Sequence, residues 1–422
     1  MQGSAQLTES VTGFIRDVIV IRPSAALSPG ATPDHGTTVV GLDCLALPRQ
    51  FSGAAHYIVY LTRHLLGAPR PFAVKVFCKP YHAALFRDAL GPGDAVVPVP
   101  LRHRAEQLWY YEYGLGARLK AEGVNLFWAT HYLCPPPDPA YRLLTTVHDL
   151  GFVLHPRHYP VVKRLYFGRR MRTFLSRADA VVAVSSSTAA DLGACFPELE
   201  GRIRVVTPGT DHFQERGCRT SDRPPAPLIL AVNTLERRKN VPFLVRVFDA
   251  LKAAGLPHRL VVVGQAANGS RAVRHALRQS PHRADIVLTG AVPEPRLRRY
   301  YREADLFLNA STYEGFGFTP FEAIRADVPA LLYANNTVSE FLGDHPYIQR
   351  QLDARKWAEL IAAEWRDGFP GRIPSTAVDH LSWANCTRAA IRLVNRTLES
   401  NPEEMPIAAS TDSGNCSARA SF

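Results

Sequence analysis

The sequence predicts an α/β protein built as two successive parallel-sheet units. Three observations predict it. From Thr38 onward, short apolar runs of strand length alternate with longer helical patterns, which implies a parallel sheet with helices on both faces. The alternation restarts at Leu228, after the Pro-rich stretch from Thr220 to Pro227, which reads as a linker. Finally, 422 residues are enough for two or three domains, and 46% hydrophobic with 21% charged residues is the balance of a soluble globular chain.

Residues 1–36 read as an N-terminal extension. The first unit, 37–222, opens with a strand over Thr38 to Leu42 and Asp43 at its end. A loop carrying Ser52 and Gly53 follows, then a helix from about His56 to Leu66. This strand, glycine loop and helix lack both the G-x-G-x-x-G fingerprint and the P-loop lysine. Strands are predicted over Phe72–Phe77, Ala95–Val99, Leu126–Ala129 and Arg142–Val147, with helices over Tyr81–Leu90 and Ala105–Glu122. The Arg142 strand ends in His148-Asp149, and in open α/β sheets ligands bind at the carboxyl ends of strands. A helix over Val161–Arg177 carries Lys163, Arg164, Arg169, Arg170 and Arg172, a basic face. After the strand Ala180–Val184, the run Ser185-Ser186-Ser187-Thr188 supplies capping groups for the next helix. The strand Ile203–Val206 leads to Pro208-Gly209-Thr210-Asp211.

The second unit, 223–380, begins with the strand Leu228–Val232. It runs into Arg237-Arg238-Lys239-Asn240 and a helix reaching about Ala254. Cations at a helix start oppose the helix dipole, so Arg238 and Lys239 there imply an anion. Strands follow at Leu260–Val263, ending in Gly264, and at Ile286–Leu288; Arg296–Glu303 is a short helix. The strand Leu306-Phe307-Leu308 leads to Glu314, the loop Gly315-Phe316-Gly317, and a helix starting near Thr319. That loop lets backbone approach a ligand closely, and the helix start is a seat for phosphate. Thr319-x-x-Glu322 also fits a capping box, in which Glu322 turns back to the cap N–H and needs no ligand. A strand over Pro329–Tyr333 and helices over Asp353–Trp365 and Trp383–Leu398 complete the folded part. The last helix, within 381–398, stands apart from the second unit, and the polar tail 399–422 reads as disordered.

The net charge of +11 admits nucleic acid, an anionic membrane surface or a phosphate-bearing substrate. No aromatic-basic sheet pattern or helix-turn-helix supports nucleic acid. No apolar run approaches the roughly 18 residues needed to span a bilayer, and no secretory signal precedes the first unit. Seven scattered cysteines form no metal-spaced cluster, so no metal site and a reducing, cytoplasmic setting are expected.

The stretch Glu314-Gly-Phe-Gly through Glu322 resembles the E-x7-E segment of the retaining glycosyltransferases of family 4. Arg238-Lys239-Asn240, His148-Asp149, Pro208-Gly209-Thr210-Asp211 and Glu340 fit the same family. Asp327 stands where that family usually has Gly, and Ser339 where it has Pro. Only Gly53 remains of the family's usual pair of glycines in the first loop. The resemblance covers about residues 38–397. It implies the GT-B fold, two Rossmann-like doubly wound domains facing across a cleft, with the last helix crossing back to the first. It implies that Glu314 and His148 flank the donor sugar and that Arg238 and Lys239 clamp its diphosphate. It further implies that Glu322 holds the ribose, that Gly315, Phe316, Gly317 and Gly264 line the donor site, and that Ser52 and Gly53 lie between phosphate and acceptor. The partners implied are a nucleotide-sugar donor and a glycan or lipid-linked acceptor, in polysaccharide or lipid-linked glycan assembly on the inner membrane face, without a cofactor. The absence of any D-x-D triplet fits a metal-independent reaction. The rivals are an epimerase or phosphorylase on the same fold, a degenerate scaffold, and a dehydrogenase; the last would want the G-x-G-x-x-G that is missing.

Overall fold

The computed structural model describes residues 38–48, 53–159, 170–213 and 226–400. The expectations for residues 1–36, for Ser52, for the linker and for the tail beyond 400 fall outside these ranges.

The first sheet has seven parallel strands: β1 (Val39–Asp43), β2 (Ala73–Cys78), β3 (Ala95–Pro98), β4 (Leu126–Ala129), β5 (Arg142–Val147), β6 (Ala180–Ala183) and β7 (Ile203–Val205). Their order is β3-β2-β1-β4-β5-β6-β7. The second sheet has β8 (Leu228–Val232), β9 (Arg259–Val263), β10 (Ile286–Gly290), β11 (Leu306–Asn309), β12 (Ala330–Tyr333) and β13 (Ile348–Gln349), ordered β10-β9-β8-β11-β12-β13. Both run outward from their first strand in one direction, then resume on its other side, which is the Rossmann order. Strands buried on both faces read as unbroken apolar runs. Every residue of β4, LFWA, is buried, as are the first four of β8. Among the described strands, only β13, two residues long, was not legible in the sequence.

The helices depart from expectation in places. The stretch expected as one helix over Tyr81–Leu90 is two short 3-10 turns, Pro80–Leu85 and Arg87–Ala89. The helix expected over Ala105–Glu122 is Arg104–Trp109 and Leu115–Ala121, joined by a π-turn at Tyr110–Gly114. Of the basic helix only 170–176 is described. Its Arg172 pairs with Glu198, and Arg177 just beyond it pairs with Glu112, so part of that charge is neutralised.

The last helix, Trp383–Glu399, packs on the Gly53–Gly67 helix of the first half. Its indole stacks on His64 with ring centroids 5.8 Å apart. One apolar cluster runs from the first sheet through Trp383 and Phe318 to Phe307 in the second. No described helix is long and apolar enough to cross a membrane.

Candidate functional site

A cavity of about 510 Å³ lies where the carboxyl ends of both sheets meet. From the first half it is lined by Gly53, His56 and His148, and from the second by Arg238, Gly264 and Glu314 with the loop after it. These positions follow β1, β5, β8, β9 and β11, which is where a doubly wound sheet places ligands.

Glu314 is the centre of one end. It is buried, with Oε2 2.5 Å from Arg238 Nη1 and Oε1 bonded to Lys239 Nζ. Burial alone would raise its pKa, but the two cations overcome that and hold it at about 2. Burial lowers Lys239, against the pull of Glu314. The cations sit on a 3-10 turn, Arg237–Lys239. Left-handed Asn240, φ 51°, ends that turn before the helix Val241–Ala253. The two segments are laced together: Thr312 N donates to Arg238 O at 2.8 Å, and Arg238 Nη1 donates to Tyr313 O at 3.0 Å. The anion implied by cations near a helix start is therefore, in this state, the protein's own Glu314.

Glu322, at the other end, is not a cap. Its helix runs Phe318–Arg325 with Gly317 (φ 81°) at the N-cap and no side-chain capping bond. Glu322 instead accepts from Tyr301 Oη at 3.0 Å, and its Oε1 lies 3.5 Å from His212 Nε2. Burial pushes its pKa up, His212 and its other neighbours pull it down, and the net direction is down. The capping-box reading fails because the N-cap is Gly317, two residues before Thr319, and the carboxylate turns inward to Tyr301.

His148 donates from Nε2 to Thr130 O at 2.8 Å, and Tyr57 meets it edge-on at 5.0 Å. Burial lowers its pKa to about 4, so the ring is neutral near pH 7. Gly53 is the first residue of its helix rather than part of a loop, and it lies against Phe318. Gly315 is fixed by contact: a Cβ there would sit 1.5 Å from His148 O. Gly264, φ 151°, presses on Asn233, whose carbonyl a Cβ would meet at 2.1 Å. Phe316 is buried, with Phe318 and Phe321 at 4.9 and 5.1 Å.

Contacts across the cleft hold the halves together. Ser185 Oγ donates to Gly315 O at 2.6 Å, and Tyr313 Oη donates to Asp191 at 2.8 Å. Glu340 accepts from the backbone N–H groups of Ser186 and Ser187 at 2.7 and 2.8 Å. It thus caps, from the second half, the helix Ser186–Cys195 of the first. Within the second half, Asn336 pairs its amide with the Glu314 peptide, at 3.1 and 2.6 Å.

Sequence reasoning missed His56, His212 and Tyr301. The ligand atoms of His56, His212 and Glu322 lie within 4.8 Å of one another, a spacing that could hold a cation. The only signal was the position of His212, directly after Pro208-Gly209-Thr210-Asp211.

Comparison with known proteins agrees with this layout. The family model described as Glycosyltransferase Family 4 matches residues 51–213, and that described as Glycosyl transferases group 1 matches residues 220–367. The chain is 24% identical over 288 residues to the serotype-specific mannosyltransferase WbdA of Escherichia coli, covering 64% of this chain and 35% of that protein. It is 24% identical to the O-antigen chain mannosyltransferase B of Escherichia coli, covering 60% of this chain and 70% of that protein. The chain thus spans about a third of the length of WbdA. Among solved structures, sucrose-phosphate synthase from Thermosynechococcus elongatus superposes with TM-score 0.65 at 19% identity, over 85% of this chain and 98% of that one. Anabaena Alr3699/HepE in complex with UDP and glucose superposes with TM-score 0.63 at 14% identity, over 85% and 100%. The shared architecture is the GT-B fold.

Proposed function

The chain belongs to the group 1, family 4 glycosyltransferases, and from that premise we propose that it moves a sugar from a nucleotide-sugar donor to an acceptor hydroxyl with retention at the anomeric carbon. The observation that carries this reading is the convergence of Glu314, Arg238 and Lys239 on one cavity with His148 on the facing wall. Arg238 and Lys239 receive the donor diphosphate and offset the charge that develops as it leaves, with no metal required. Glu314, kept ionised by the same cations, faces the sugar and favours the positive charge of the transition state. His148, neutral near pH 7, lines the reacting carbon. Glu322 accepts from the ribose hydroxyls. The acceptor reaches the cavity from the side of Gly53. The leaving phosphate is the group that takes the acceptor proton on the same face.

The curated relatives are named as mannosyltransferases, which makes mannose the first sugar to test. The name of the second, an O-antigen chain mannosyltransferase, suggests a growing surface glycan as the acceptor. The excess of basic residues suits an anionic membrane face during that assembly.

The test is a thermal-shift screen against UDP, GDP, ADP, CMP and dTDP, repeated with Arg238→Ala/Lys239→Ala. One nucleotide should raise the midpoint at millimolar concentration, and the double variant should lose that shift. No shift with any nucleotide would favour a degenerate scaffold instead.

A further inference from the structure

A chain of polar contacts runs from the last helix to the ribose end of the cavity. Trp383 opens that helix, and its Nε1 lies 3.1 Å from His212 Nδ1. An indole N–H can only donate, so Nδ1 is the acceptor, and a neutral imidazole then carries its proton on Nε2. That Nε2 is buried and faces Glu322 Oε1 at 3.5 Å, the outer limit of a hydrogen bond. The ring cannot readily turn away, since Tyr60 lies on it with centroids 4.3 Å apart. Trp383 is fixed to the same segment: its backbone N–H donates to Asp211 at 2.8 Å, and a Cβ on Gly209 would come within 2.1 Å of its nitrogen.

The tautomer decides the sign of the contact with Glu322. With the proton on Nε2, His212 offers the carboxylate a donor. With the proton on Nδ1, a lone pair would face it. We propose that Trp383 is a positioning residue for the donor site: its indole N–H fixes His212 with Nε2 protonated, and that N–H holds Oε1 of Glu322 so that the remaining lone pairs meet the ribose. This rests on the reading of Glu322 given above. A cation bound between His56, His212 and Glu322 makes the opposite demand, because it needs the Nε2 lone pair.

The experiment measures, by calorimetry on the full chain, the affinity of UDP and GDP and of their 2′-deoxy and 3′-deoxy forms. It compares wild type with Trp383→Phe, His212→Gln and His212→Leu. Wild type should bind the ribonucleotide about tenfold more tightly than the deoxy form that lacks the contacted hydroxyl. Trp383→Phe and His212→Leu should shrink that ratio to about threefold or less, with the deoxy form bound as before. His212→Gln, whose amide N–H replaces Nε2–H, should keep most of it. Equal weakening of both forms in Trp383→Phe would mean simple loosening and would overturn the proposal. So would stabilisation of wild type by Zn²⁺ that His212→Gln abolishes. If Trp383→Phe does not fold, the two His212 variants decide. A wild type indifferent to the ribose hydroxyls removes the role of Glu322 and this inference with it, leaving the phosphate clamp standing. Failure to bind either nucleotide removes the donor reading itself and, with it, this inference.

Discussion

Glu314 and Glu322 are both buried, both line one cavity and stand eight residues apart, yet they are held in different ways. Glu314 is fixed by two full charges, Arg238 and Lys239. Glu322 has a hydroxyl on one oxygen and, farther off, an imidazole on the other. Ion pairs in a low-dielectric site act strongly and do not depend on where a neighbour keeps its proton. Hydrogen bonds from neutral donors do depend on it. The Glu314 end is therefore preset by charge, whereas the Glu322 end is set by the arrangement of protons along a series of side chains.

The largest expected effect tests the first half of that contrast. Glu314→Ala leaves buried Lys239 without its carboxylate and Arg238 with Glu236 alone, and losing one member of a buried pair costs about 3–5 kcal/mol. Urea unfolding should show a loss of that size, and the nucleoside diphosphate found in the screen should narrow it by supplying the missing anion. A loss below about 1 kcal/mol would mean the pair is no stronger than a surface ion pair.

Gly315, between the two acids, gives the next effect. Gly315→Ala places a methyl group inside the His148 carbonyl, and overpacking of this kind costs about 1–3 kcal/mol. Because the clash lies between the halves, the expected relief is separation. Small-angle scattering should give a larger radius of gyration than wild type, and an unchanged radius would show that relief comes from within one half.

Tyr301→Phe should give the smallest effect, about 1 kcal/mol in thermal unfolding for the loss of one hydrogen bond to Glu322. A loss as large as that of Glu314→Ala would erase the contrast between the two ends.

The same contrast explains what the sequence disclosed. Glu314 lies in one short motif and Arg238 with Lys239 in another, so the residue types alone announced an acid and a cation pair. Their direct pairing was not announced, because nothing in a helix-start pattern says that the anion is already present in the chain. The surroundings of Glu322 come from Tyr301, His212 and Trp383, which lie in three segments that carry no shared pattern. Tyr301 and His212 passed unnoticed, and the local Thr319-x-x-Glu322 spacing suggested a cap that tertiary contacts overrode. The central strands, such as β4 and β8, were legible because parallel strands buried on both faces are apolar throughout. The π-turn at Tyr110–Gly114 was not, since an extra residue in a helical turn leaves no mark on composition.

Glu340 gives the cleft a gauge of its own. The first N–H groups of the Ser186–Cys195 helix are satisfied by a carboxylate that belongs to the opposite half. Whenever the halves part, those two amides lose their acceptor and that first turn frays. Amide hydrogen exchange at Ser186 and Ser187 should therefore report how often the cleft opens, without any label or ligand. A donor that draws the halves together should slow exchange at these two positions more than in the centre of the same helix.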